Sequence, residues 1–136
     1  MEQKDYLMRE IEKIRVVLEA MLNKIKGGDS DIPQVNENFD EVNKLFITDT
    51  RIDLSTLINS DSSQFDNIFK KENGYNETNI EQFADILVEM ANKAEGNLKF
   101  QLNQKALETY EYVDALSNSF SFGRKMKMDA LKKELE

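Results

Sequence analysis

Three observations predict an all-α fold for this chain. Apolar side chains recur along most of it at alternating steps of three and four, only five Gly and one Pro interrupt 136 residues, and no stretch keeps the apolar–polar alternation of a strand. A bundle of six or seven helices in a single domain, 1–136, is expected, with a repeat-like helical hairpin in the C-terminal half. A chain of this size buries about two-thirds of its unfolded surface and needs no disulfide or metal to hold it.

Leu7, Ile11, Ile14, Leu18, Met21 and Ile25 place one stripe on a helix from about Lys4 to Lys26. Val17 and Leu22 widen the stripe, which suits a packed bundle better than a two-stranded coil, and Gly27-Gly28 supplies its stop. Asp29, Ser30, Asp31 and Pro33 then read as loop. Val35, Phe39, Val42 and Phe46 repeat the helical period, and the aperiodic Asp49 to Asp53 is expected to connect. Leu54, Leu57 and Ile58 mark a short helix that Asp53 can cap; Phe65, Ile68 and Phe69 mark another, capped by Ser60 or Asp61 and stopped at Asn73-Gly74.

Thr78-Asn79-Ile80-Glu81 has the form of a capping box, which predicts the start of a long helix. Phe83, Leu87, Met90 and Ala94 continue into Leu98, Leu102, Ala106, Tyr110 and Val113 with almost no phase break. A single helix of that length is rare in a small domain, so a hairpin is expected, turning at Gly96-Asn97 or within Gln101 to Gln104. Ser121 can cap a last helix with Arg124, Met128, Leu131 and Leu135 on one face and Phe122 and Met126 on the adjoining one.

The chain holds no His and no Cys, which removes the usual carriers of acid–base, nucleophilic and transition-metal chemistry. Carboxylate, Lys, Tyr or Ser chemistry remains open, but no motif for it is present. Asp29-Ser30-Asp31 opens like a calcium loop, yet Gln34 and Asp40 stand where that loop needs Gly and Glu. Gly27-Gly28 is followed by acids, not by the Lys of a phosphate loop. No catalytic residue, cofactor or metal ligand is therefore assigned.

The net charge of −8 divides as +1 over 1–26, −7 over 27–69, −4 over 70–118 and +2 over 119–136. Such an acidic chain is a poor partner for nucleic acid, and the Arg124-Lys125-Met126-Lys127 cluster reads as a solvated helix face. No apolar run reaches the roughly 20 residues of a bilayer span and the start lacks the pattern of an export leader, so no membrane partner and a cytoplasmic location are expected.

Phe83 to Asn118, with Ala94, Ala106, Tyr110 and Val113 in register, resembles one degenerate tetratricopeptide repeat, departing from it at Lys93, Asn97 and Asn118. The opening block Lys4-Asp5-Tyr6-Leu7-Met8-Arg9-Glu10-Ile11-Glu12 and the closing Phe120-Ser121-Phe122-Gly123-Arg124-Lys125 are similar to those of a family of small all-helical bacterial proteins with no established activity. That resemblance implies a helical fold and a bacterial cytoplasm, and it carries over no catalytic residue. The leading expectation is a non-enzymatic interaction module that presents a groove to a protein or peptide. The alternatives are a small ligand-binding bundle or enzyme using buried carboxylates and Tyr, and a structural homodimer. Tyr6, Met8 and Tyr112 fall outside the core stripes and are the candidate partner surface, while Tyr110 falls in the core.

Overall fold

A computed structural model describes residues 2–27 and 35–136. The expected loop with Asp29, Ser30, Asp31 and Pro33, and with it the incomplete calcium-loop pattern, lies outside the described residues. The rest is all-α: α1 (Glu2–Lys26), α2 (Phe39–Thr50), α3 (Leu54–Asn59), α4 (Phe65–Ile68), α5 (Glu77–Asn92), α6 (Gly96–Leu116) and α7 (Phe122–Glu134), with 3₁₀ turns at Ser62–Gln64 and Lys71–Asn73 and no strand among the described residues. No helix among them is long and apolar enough to cross a membrane.

The α5–α6 hairpin is the centre of the molecule. α1 lies along α5, α7 folds back onto α6, and α2 and α3 close the side between α1 and α6. One hydrophobic core takes side chains from all seven helices, including Leu18, Phe46, Leu57, Phe65, Phe83, Leu102 and Leu131. Phe69 anchors its aromatic part, meeting Phe65, Tyr75 and Phe83 edge-on at 5.6, 5.6 and 5.5 Å and stacking on Tyr112 at 6.1 Å. Such pairs add about 0.5–1.5 kcal/mol each beyond their buried area. Of the predicted α1 stripe, Ile14, Leu18, Met21 and Ile25 are buried, but Leu7 and Ile11 are only half-buried because the first turns of α1 reach past the core.

Several local signals act as the sequence predicts. Asp53 caps α3 by accepting from the Ser55 and Thr56 amides, and Ser121 caps α7 by accepting from the Arg124 amide at 3.2 Å. The Phe65 helix departs from expectation, since α4 ends at Ile68 with Gln64 before it, Asp61 caps the 3₁₀ turn Ser62–Gln64, and Gly74 ends the separate turn Lys71–Asn73 at φ +94, where a Cβ would stand 2.3 Å from the Glu10 carbonyl oxygen. The backbone of α1 therefore rests directly on this turn. Asn79 ties the same contact, its Nδ2 donating to the carbonyls of Ile11 at 3.0 Å and Gly74 at 2.7 Å.

Other expectations are corrected. Thr78 is not the cap of α5: Asn76 is, its side chain accepting from the Asn79 amide at 2.9 Å, and Glu81 is drawn away to Arg124 and Lys127. Asp49 and Thr50 belong to α2, which Thr50 extends by hydrogen-bonding the Phe46 carbonyl, and the chain leaves through Arg51 in the left-handed region at φ 64. The hairpin turns at Lys93, Ala94 and Glu95, just ahead of Gly96, so Gln101 to Gln104 is mid-helix. Asn36 clamps that turn, accepting from the Glu95 amide at 2.7 Å and donating to its carbonyl at 3.0 Å.

Candidate functional site

Two clefts open on this scaffold. The first, of about 600 Å³, runs between α1 and the end of α2. Ile14, Val16 and Val17 give it apolar surface, and Arg9, Asp49 and Arg51 stand around it. Val16 is 51% exposed, and neither Arg9 nor Asp49 has an ionic or hydrogen-bond partner among the described residues. Arg51 holds its left-handed backbone while its guanidinium reaches Glu10 at 3.1 Å and Asn73 at 3.3 Å. A left-handed conformation is unfavourable for a side chain with a Cβ, and such conformations gather at functional sites. Glu10 is closed over by Lys13 and Arg51, whose hydrogen bonds hold its carboxyl below the usual range against a smaller opposing effect of burial.

The second cleft, of about 510 Å³, lies where four helices meet. α5 contributes Asp85, Val88, Glu89 and Asn92, α6 Asn103 and Tyr110, α7 Lys127, Ala130, Leu131 and Glu134, and α1 Leu22 and Lys26. Each set follows helical spacing, so each helix presents one row to the cleft. Tyr110 donates its hydroxyl to Asp85, and Lys127 sits 3.0 Å from both Glu81 and Asp85, over the Tyr110 ring at 5.6 Å. Burial, then the Asp85 charge, pushes the Tyr110 hydroxyl far above the usual tyrosine range. Burial also raises the Glu81 carboxyl, but the hydrogen bonds of Arg124 and Lys127 outweigh it and leave the group below the usual range.

Arg124 and Lys127 are thus not part of a solvated basic face. Arg124 is buried, binding Glu81 at 2.9 Å and Asp114 at 2.5 Å, so α7 is turned with half of its basic cluster inward and Lys125 and Met126 outward. A helix with Leu131 packed inward cannot also leave Arg124, seven residues away on the same face, in water. Lys105 is likewise a buried tie, donating to the Ser60 carbonyl and to Glu108 at 2.9 Å.

The three candidate surface residues do not converge. Tyr6 does not line the first cleft but stands one turn before Arg9 and Glu10, which do, and donates to Glu10 at 3.4 Å. Met8 is exposed and heads the row Glu12, Arg15 and Glu19, whose charges pair with one another; of these Glu12 also edges the first cleft. Tyr112 is half-buried against Phe65 and Phe69 with its hydroxyl on Asp66, so it holds α4 to α6. Val16 went unmarked although it is an apolar residue outside the α1 stripe. Asn103 is a polar residue in the apolar phase of α6, a signal that instead suggested a turn. Among the described residues no three carboxylates gather closely enough to hold a metal ion.

By fold and clefts the molecule belongs to the class of all-α helical bundles. No protein-family model, no curated protein and no solved structure matches the chain.

Proposed function

We propose that the chain is a non-enzymatic interaction module of the bacterial cytoplasm, binding a protein or peptide segment along the α1–α2 cleft. The observation that carries this reading is the half-exposed Val16 on an apolar floor between two charges of opposite sign, Arg9 and Asp49, that have no partner among the described residues. A segment with an apolar side chain flanked by an acid and a base would bury the floor and pair both ends. Tyr6 extends the surface, and the α5–α6 hairpin, read as one repeat-like unit, is its rigid backing. Affinity capture should compare the native chain with Val16→Asp and Arg9→Glu variants shown by circular dichroism to remain helical. A discrete protein held by the native chain and lost in both variants supports the module; one that both variants retain refutes this surface.

A second reading, self-association, rests on the α6–α7 elbow. Leu116, Phe120, Phe122 and Met126 are all exposed within eleven residues, Phe120 to 74% and Phe122 to 69%. Light scattering at rising concentration would show a dimer that Phe120→Ser/Phe122→Ser abolishes, or a monomer throughout.

A further inference from the structure

We propose that the cleft between α1, α5, α6 and α7 binds a small aliphatic ammonium compound, its cation at Glu89 and Glu134 and a neutral hydrogen-bonding end on Asn103. This site shares no residue with the α1–α2 cleft, so either can fail without the other.

The first observation is Asn103. It is 5% exposed, it lines the cleft, and its side chain makes no hydrogen bond with any described residue. Among the described residues only Arg124 Nη2 is a fully enclosed side-chain polar atom without a partner, so the Asn103 amide, which makes no hydrogen bond, reaches solvent through the cleft from a helix position between Leu102 and Ala106 that would normally hold an apolar side chain. Its donor and acceptor are left for something that enters the cleft. A neutral hydroxyl or amide fits, because Lys127 already supplies a positive charge beside Asp85.

Charge is the second observation. Lys127 is consumed by Glu81 and Asp85. Glu89 and Glu134 have no ionic or hydrogen-bond partner among the described residues, and Lys26, exposed on α1, is the one other cation lining the cleft. Two unpaired carboxylates against one lysine select a cation over an anion. A metal ion fits less well than an ammonium group, since among the described residues no three carboxylates gather into a metal-binding group. Leu22, Val88 and Leu131 supply the apolar wall for an aliphatic body between the two polar ends.

The test titrates the full chain with 5-aminopentan-1-ol, pentan-1-ol and pentanoate at millimolar concentration, following the Asn103 side-chain amide by NMR. The amino alcohol should shift that resonance saturably while the alcohol and the carboxylate do not. Glu89→Gln and Glu134→Gln should each weaken binding by about tenfold or less, as expected for one partly solvated charge pair, and added salt should act in the same direction. Asn103→Leu, followed at the backbone amides of Glu89 and Leu131 because the side-chain reporter is gone, should abolish binding; should that variant fail to fold, the two rim variants decide. Equal shifts with pentan-1-ol, preference for pentanoate, no shift at Asn103, or unchanged affinity in both rim variants would each overturn the proposal.

Discussion

At the scale of single residues, the junction of Gly74, Asn79 and α1 is where the structure tolerates least. Gly74 needs a positive φ, and the Cβ of any other residue would meet the Glu10 backbone at 2.3 and 2.6 Å as well as the Ile14 side chain at 2.9 Å, and the backbone atoms cannot swing aside. Gly74→Ala adds left-handed strain to a forced separation of α1 from the turn, so it should lower the unfolding free energy by about 3 kcal/mol or more, read from the urea midpoint. Asn79→Ala leaves the Ile11 and Gly74 carbonyls without their donor at the same junction and should cost about 2 kcal/mol. That Asn73-Gly74 breaks the chain was legible from residue type alone, although it ends the 3₁₀ turn Lys71–Asn73 and not the helix of Phe65, which stops at Ile68. That α1 would rest on this glycine was not, because the contact joins positions more than sixty residues apart and leaves no periodic trace.

At the scale of elements, α5 separates a motif from the chemistry that motif describes. The pattern Thr78-x-x-Glu81 matches a capping box, but Asn76 is also a strong capping residue, and Arg124 and Lys127 offer Glu81 more than a backbone amide does. Asn76→Ala should therefore cost about 1 kcal/mol, while Thr78→Ala stays within about 0.5 kcal/mol of the native chain in the same urea unfolding assay. The α7 helix gives a parallel case. Its apolar row was legible and already held Arg124, but the partners Glu81 and Asp114 that take up its buried charge were not, since no spacing rule connects them to it. Arg124 makes two ion pairs yet leaves Nη2 buried without a partner among the described residues. Arg124→Ala should cost about 2 kcal/mol, below the figure for a fully buried pair because Asp114 is half-exposed. Arg124→Met, which keeps the packing of the stem, should cost less, and amide exchange in α7 should rise more in the Ala variant. The clefts were the least legible feature, since each takes residues from three or more separate segments. Val16 and Asn103 are the exceptions, each visible as a residue that contradicts the phase of its own helix.

For the whole molecule, the same ionisable groups set a stability profile with two shoulders and a flat middle. With no His and no Cys, no side chain has an ordinary pKa between about 6 and 8, so stability should be level there. Hydrogen bonds to Glu10 from Lys13 and Arg51, to Asp53 from Asn43 and the α3 amides, and to Glu81 from Arg124 and Lys127 hold these carboxyls below their ordinary range. The unfolded chain binds protons there before the folded one does, so their contribution is complete above the ordinary carboxylate range and is lost as the pH falls through it. Glu81→Gln should flatten this acid shoulder. The alkaline shoulder has the opposite sign. Burial raises the hydroxyls of Tyr75 and Tyr110, and burial with the Asp66 hydrogen bond pushes Tyr112 up to about 12. The unfolded chain releases these protons near pH 10, so stability is intact below about that pH and falls above it. Tyrosinate absorbance and helical circular dichroism followed together should show these three tyrosines ionising as the helices melt. A titration of all four tyrosines while the helicity remains intact would contradict the burial of Tyr75 and Tyr110 on which the central hairpin rests.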